Sequence, residues 1–181
     1  MIKLVMFDLD GTLADTIEDI AACVNGALAR RGLPAHDIPA YKLMVGNGFR
    51  TLIERAAPPG AREPRLLEEL RAEAQAAYDA EPVALTRPYA GVPELLSALK
   101  AHGLALAVLS NKPDGLAVQV VERLFPGAGF SLVRGETPAF PRKPDPASAL
   151  DIARRLGASP SECIYVGDTD VDMETARRAG M

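Results

Sequence analysis

Two carboxylates one residue apart close the first apolar run of the chain: Ile2 to Phe7 leads into Asp8-Leu9-Asp10-Gly11-Thr12-Leu13. Negative groups this close repel unless a cation or a proton comes between them. The pair therefore asks for a metal, with Asp8 ionised and Asp10 able to hold a proton, unless it is only an acidic turn. Ser110-Asn111 can donate a hydroxyl and an amide to the oxygens of an anion, or cap a helix. In Arg142-Lys143-Pro144-Asp145-Pro146 the proline restricts the residue before it to extended backbone. That restriction helps aim Lys143 inward; a solvated surface lysine is the alternative. Gly167-Asp168-Thr169-Asp170-Val171-Asp172 holds three carboxylates in five residues, which suits a hard cation bound through oxygen. The preference of acidic residues for a helix N-terminus explains one or two of them, not the cluster.

These groups can meet only if the elements that carry them share an edge. Ile2 to Phe7, Leu104 to Leu109 and Cys163 to Val166 are short apolar runs that read as strands buried on both faces, with a weaker candidate at Phe130 to Val133. Helical patterns alternate with them: Pro93 opens one with Leu95, Leu96 and Leu99, and Leu116 to Leu124 carries the next. Asp145-Pro146 caps another through Leu156, and a last runs from about Val171 to Ala179. The alternation predicts an α/β fold with a doubly wound parallel sheet. Parallel strands share one carboxyl edge, where open α/β sheets bind ligands. Asp8, Ser110 and Asp168, each expected just after a strand, belong on that edge.

Between Asp15 and about Arg87 no strand pattern stands out. Ile17, Ile20, Ala21, Val24 and Leu28 recur at helical spacing, as do Leu66, Leu70, Ala74 and Tyr78. Shorter helical pieces are expected at Ala40 to Val45 and Phe49 to Ala57, broken by Gly46-Asn47-Gly48. Residues 15–87 thus read as an all-helical insertion in a sheet domain made of residues 1–14 and 88–181.

Composition removes several function classes. The 181 residues are 48% hydrophobic and 5% aromatic, with no Trp, so the core must be aliphatic. A net charge of −4 without a basic cluster argues against nucleic acid as a partner. No apolar run is long enough for a membrane span, and no leader pattern is visible. Cys23 and Cys163 lack metal-ligand spacing and fit a reduced, cytoplasmic setting.

The strings DLDGTL at 8–13, LSNK at 109–112, RKPDP at 142–146 and GDTDVD at 167–172 resemble, in order, the four motifs of the haloacid dehalogenase-like hydrolases. This superfamily is dominated by magnesium-dependent phosphatases. Val45-Gly46-Asn47-Gly48 and RKPDP are most similar to its phosphoglycolate phosphatases. The resemblance implies hydrolysis of a phosphomonoester through an aspartyl-phosphate, with a small phosphorylated metabolite such as 2-phosphoglycolate as substrate. It implies Asp8 as nucleophile, Asp10 as acid and base, and Lys143 neutralising charge on both reacting groups. Phosphate oxygens would be held by Ser110, Asn111, Lys143 and the amides of Gly11 and Thr12. Mg²⁺ would be held by Asp8, the Asp10 carbonyl and Asp168, with Asp172 orienting metal-bound water and Asp170 facing solvent. The insertion sits where relatives carry a mobile cap, making Gly46, Asn47, Gly48 and Arg50 candidate substrate contacts. A pyrophosphatase or a sugar-phosphate phosphatase or mutase would share all four motifs, and a non-catalytic module could use the same fold. Relatives usually continue past the GDTDVD helix with another strand and helix. The strand ending at Val166 is therefore expected as an open sheet edge, a route to self-association.

Overall fold

A computed structural model describes residues 1–181. In chain order it shows β1 (Leu4–Phe7), β2 (Ala14–Asp15), α1 (Ile17–Ala29), α2 (Ile38–Met44), α3 (Gly48–Ala56), α4 (Pro64–Ala80) and β3 (Arg87–Pro88). There follow α5 (Val92–Ala101), β4 (Ala105–Pro113), α6 (Asp114–Leu124), β5 (Leu132–Glu136), α7 (Ala147–Arg155), β6 (Cys163–Val166) and α8 (Asp170–Ala179). Two compact units result: residues 1–15 with 87–181, and residues 16–86.

The first unit is built on a four-stranded, all-parallel sheet in the order β5-β4-β1-β6. β1 is central because its four residues, Leu-Val-Met-Phe, are apolar toward both faces, and all four are buried. Leu4 sits opposite Ala105 on one side and Cys163 on the other, so the strand ends align. On one face Leu4, Met6, Ala107, Leu109 and Tyr165 pack with Ala149, Ile152 and Ala153 of α7 and Ala179 of α8. Each fully buried Leu, Met or Ile among them contributes about 1.5–3 kcal/mol. β6 pairs with β1 alone and forms one edge, with Ile164 44% exposed.

Two sequence expectations are corrected here. β4 does not stop at Leu109; it continues through Ser110, Asn111 and Lys112 to Pro113, with a register shift against β5 between Leu109 and Pro113. Polar residues can extend this strand because its end is a built part of the polar edge, not a turn. The chain also leaves and re-enters the sheet unit through a short antiparallel ribbon in which Asp15 faces Arg87 and Ala14 faces Pro88. That pairing places residues 15 and 87 with the sheet. Two-residue strands containing a proline carry no period-2 signal, so the pattern of apolar residues misses them.

The second unit is helical throughout. α1 buries Ile17, Ile20, Ala21, Val24, Ala27 and Leu28, and α4 buries Leu70, Ala74 and Tyr78, at the spacing of one helix face. Its chain end is tied back to its beginning by Asp19, a buried carboxylate of α1. Asp19 accepts the backbone N–H groups of Leu85 (3.0 Å) and Thr86 (2.8 Å) and the Thr86 hydroxyl (2.7 Å). Thr86 is itself fully buried. Asp19→Ala should therefore destabilise this unit by about 1–3 kcal/mol for each polar group left without a partner. Thermal melts read this directly, and an unchanged melting temperature would show that these bonds are replaced by water.

Candidate active site

Asp8 follows β1 directly, and its N–H donates to the Val166 carbonyl of β6, so the nucleophile candidate continues the central strand. Gly11 then turns the chain with a φ of +91°. A Cβ on Gly11 would lie 2.4 Å from Asp168 Oδ2, so only glycine lets the Asp8–Thr12 turn approach the loop after β6. Thr12 donates its hydroxyl to Asp168 Oδ1 at 2.8 Å, joining the first and last motifs. Gly167 has the same function one step earlier: a Cβ there would meet Cβ of Asp172 at 2.4 Å.

Asp172 sits in the first turn of α8 and is completely buried. Its Oδ2 accepts the Thr169 hydroxyl (2.6 Å) and the Thr169 N–H (3.1 Å), a reciprocal cap that fixes the helix start. Its Oδ1 accepts the Lys143 ammonium at 2.7 Å. The same Nζ lies 2.8 Å from Asp8 Oδ1. Lys143 is thus clamped between two buried carboxylates, not solvated. Its peptide bond to Pro144 is cis.

Burial pushes the Asp8 carboxyl up to about 6; Lys143 opposes the shift, while Asp172 and Asp10 add to it. Burial alone would lower the Lys143 ammonium, but Asp8, with Tyr165 and Asp172, outweighs it and holds the lysine above its ordinary range. The lysine is therefore a permanent cation at neutral pH.

Ligand oxygens of Asp8, Asp168 and Asp172 lie within 4.8 Å of one another. Three convergent carboxylates fit a hard divalent cation. Both Asp172 oxygens already accept hydrogen bonds, which makes Asp8 and exposed Asp168 the better donors and leaves Asp172 to support them. Asp170 is exposed, and its side chain accepts the neighbouring Val171 N–H at 3.0 Å.

For three of the sequence assignments the structure shows the partners. The side chain of Asp10 is outside the carboxylate cluster: both its oxygens lie 2.8 Å from Lys112 Nζ, a buried lysine that sequence reasoning quoted in LSNK but gave no role. Its position two residues after Ser110 on an extended strand, hence on the same side, was the available signal. Asn111, read as a phosphate ligand, instead has its side-chain amide against the backbone of Lys143. Ser110 is buried within β4 and its hydroxyl accepts the Lys112 N–H at 3.2 Å.

In the helical unit, Gly46 and Gly48 take positive φ values of +102° and +81° around Asn47. The guanidinium joined to this turn belongs to Arg55, which donates to Asn47 Oδ1 and to the Met44 carbonyl, each at 2.8 Å. Arg50 instead extends toward Glu68, 3.8 Å away, and is largely exposed. Arg55 lies two helical turns beyond the glycines.

The family model described as haloacid dehalogenase-like hydrolase matches residues 5–181. Phosphoglycolate phosphatase 1 of Pseudomonas aeruginosa is 35% identical over 99% of this chain, which spans 67% of that protein. The N-acetylmuramic acid 6-phosphate phosphatase of the same organism is also 35% identical, over 99% of this chain and 79% of its own length. The crystal structure of a predicted phosphoglycolate phosphatase from Haemophilus somnus superposes with a TM-score of 0.92 at 31% identity, covering 99% of this chain and 82% of that one.

The raised Asp8 value carries a sign for stability. Without a divalent cation the folded state holds the Asp8 proton more tightly than the unfolded chain, whose ordinary value is 3.8. Ionising Asp8 therefore costs stability progressively from about pH 4 to about pH 6, and the full cost persists above. In chelator at pH 7.5, Asp8→Asn should melt at a higher temperature than wild type, and the gap should close toward pH 4. A gap independent of pH would contradict the buried, cation-starved description of this carboxylate.

Proposed function

The chain belongs to the haloacid dehalogenase-like hydrolase family, and from that premise we propose that it hydrolyses small phosphomonoesters through an aspartyl-phosphate on Asp8. The observation that carries this reading is the buried Asp8 at the end of the central strand, with the Lys143 ammonium 2.8 Å from its Oδ1. A phosphatase needs such a cation because nucleophile and substrate are both anionic.

Asp8 attacks phosphorus while the bond to the leaving oxygen breaks, and Asp10 gives that oxygen a proton. In the second step water attacks the phosphorus of the acyl-phosphate, the Asp8–phosphorus bond breaks, and Asp10, left ionised by the first step, takes a proton from that water. Lys143 stabilises the charge on Asp8 and on the transferring group in both steps. Ser110 holds a phosphoryl oxygen; the Gly11 and Thr12 amides, expected beside it, donate instead to the Ala14 and Leu9 carbonyls of their own turn. Asp8, Asp168 and the Asp10 carbonyl would hold Mg²⁺, which when bound offsets the repulsion between the two anions. Residues 16–86 stand in the chain where relatives carry a cap.

The substrate we infer is 2-phosphoglycolate, supported by the similarity to Pseudomonas aeruginosa phosphoglycolate phosphatase 1. Equal identity to the N-acetylmuramic acid 6-phosphate phosphatase supports a sugar phosphate as the second reading. Relative kcat/KM for 2-phosphoglycolate and for hexose and amino-sugar phosphates decides between them. On either substrate Asp8→Asn should abolish turnover, and Asp10→Asn should lower it by about 10²–10⁴-fold. Exhaustive chelation should abolish activity and Mg²⁺ restore it. Turnover by Asp8→Asn, or full activity in chelator, would overturn the mechanism.

A further inference from the structure

Asn111 is buried near the end of β4, and its side-chain amide meets the backbone of Lys143 from both sides. Oδ1 accepts the Lys143 N–H at 2.9 Å, and Nδ2 donates to the Lys143 carbonyl at 3.3 Å. The orientation of the amide follows from its partners: a donor must face the carbonyl and an acceptor the N–H. Residue 143 lies in the stretch between β5 and α7, outside both elements. The double contact ties that stretch to the central sheet at the residue whose ammonium bridges Asp8 and Asp172.

We propose that Asn111 is the positioning residue for Lys143: it fixes the lysine backbone so that the ammonium spans Asp8 and Asp172, and it does not bind the phosphoryl group. The proposal rests on the phosphatase reading above. The physical case is one of reach. Lysine has four rotatable carbons and a strongly hydrated head, so its position is set only as well as its backbone is held. Glu136 and Arg142, paired at 2.7 Å, brace the same stretch from outside the site, but Asn111 alone among these contacts the lysine backbone. A displacement of the ammonium by about 1 Å is enough to cost about 10²-fold in rate.

The test uses the full chain with 4-nitrophenyl phosphate and Mg²⁺, after confirming that wild type turns over and Asp8→Asn does not. If that control fails, the phosphatase reading falls, not the assignment of Asn111. Asn111→Leu removes both hydrogen bonds while keeping the number of side-chain heavy atoms; Asn111→Asp keeps the acceptor but sets an oxygen against the Lys143 carbonyl. Both should lower kcat by about 10–10²-fold while KM and the inhibition constant of inorganic phosphate stay within about threefold. Pulse acetylation with mass spectrometry supplies a readout independent of turnover. Lys143 should become several-fold more reactive relative to exposed Lys3, while buried Lys112, on the same strand as Asn111, should not. Weaker phosphate binding with kcat retained would make Asn111 a phosphate ligand and overturn the proposal. Equal exposure of Lys112 and Lys143, or none, would reduce it to general packing.

Discussion

One buried ammonium between two buried carboxylates sets the terms for the rest of this molecule. Lys143 lies 2.8 Å from Asp8 and 2.7 Å from Asp172, and none of the three side chains is more than one-tenth exposed. Buried charges are tolerated only when paired and hydrogen-bonded, so each needs its own support. Asp172 has the Thr169 cap of α8, Asp8 has the strand end, and Lys143 has Asn111. Asp10, Lys112 and Asp168 complete the charged set. With every group ionised, four carboxylates face two ammonium groups and leave two negative charges, the amount a divalent cation balances. The stability lost by ionising Asp8 in the absence of that cation follows from burying a carboxylate beside Asp172 and Asp10.

The sheet was legible because its strands are apolar on both faces. Ile2 to Phe7 and Cys163 to Val166 could be placed from burial alone, and the parallel topology then brought three distant motifs to one edge. What escaped was polar or too short. β4 runs on through Ser-Asn-Lys, polar residues that fall within its register shift against β5. The ribbon of β2 and β3 contains a proline and two residues per strand.

The same division applies to the site. Residue types identified the carboxylates and Lys143, because few other arrangements need three acidic residues at a strand-to-helix junction. Types could not say which polar group faces which. Asn111 and Lys112 are adjacent in the chain yet serve different partners, Lys143 and Asp10, as alternation along a strand demands. Arg55 and Arg50 show the same limit in the helical unit, where only the backbone path decides which guanidinium meets the Gly46–Gly48 turn.

The central claim is that Asp8 carries the phosphoryl group between two displacements. Acid quench of the enzyme during steady-state turnover of 4-nitrophenyl phosphate, followed by peptide mapping, tests it most directly. A phosphoryl adduct on the peptide containing Asp8, absent from Asp8→Asn and lost when the substrate is exhausted before the quench, is the predicted result. Sustained turnover with no adduct, and inversion of configuration at a chiral phosphorus, would contradict it.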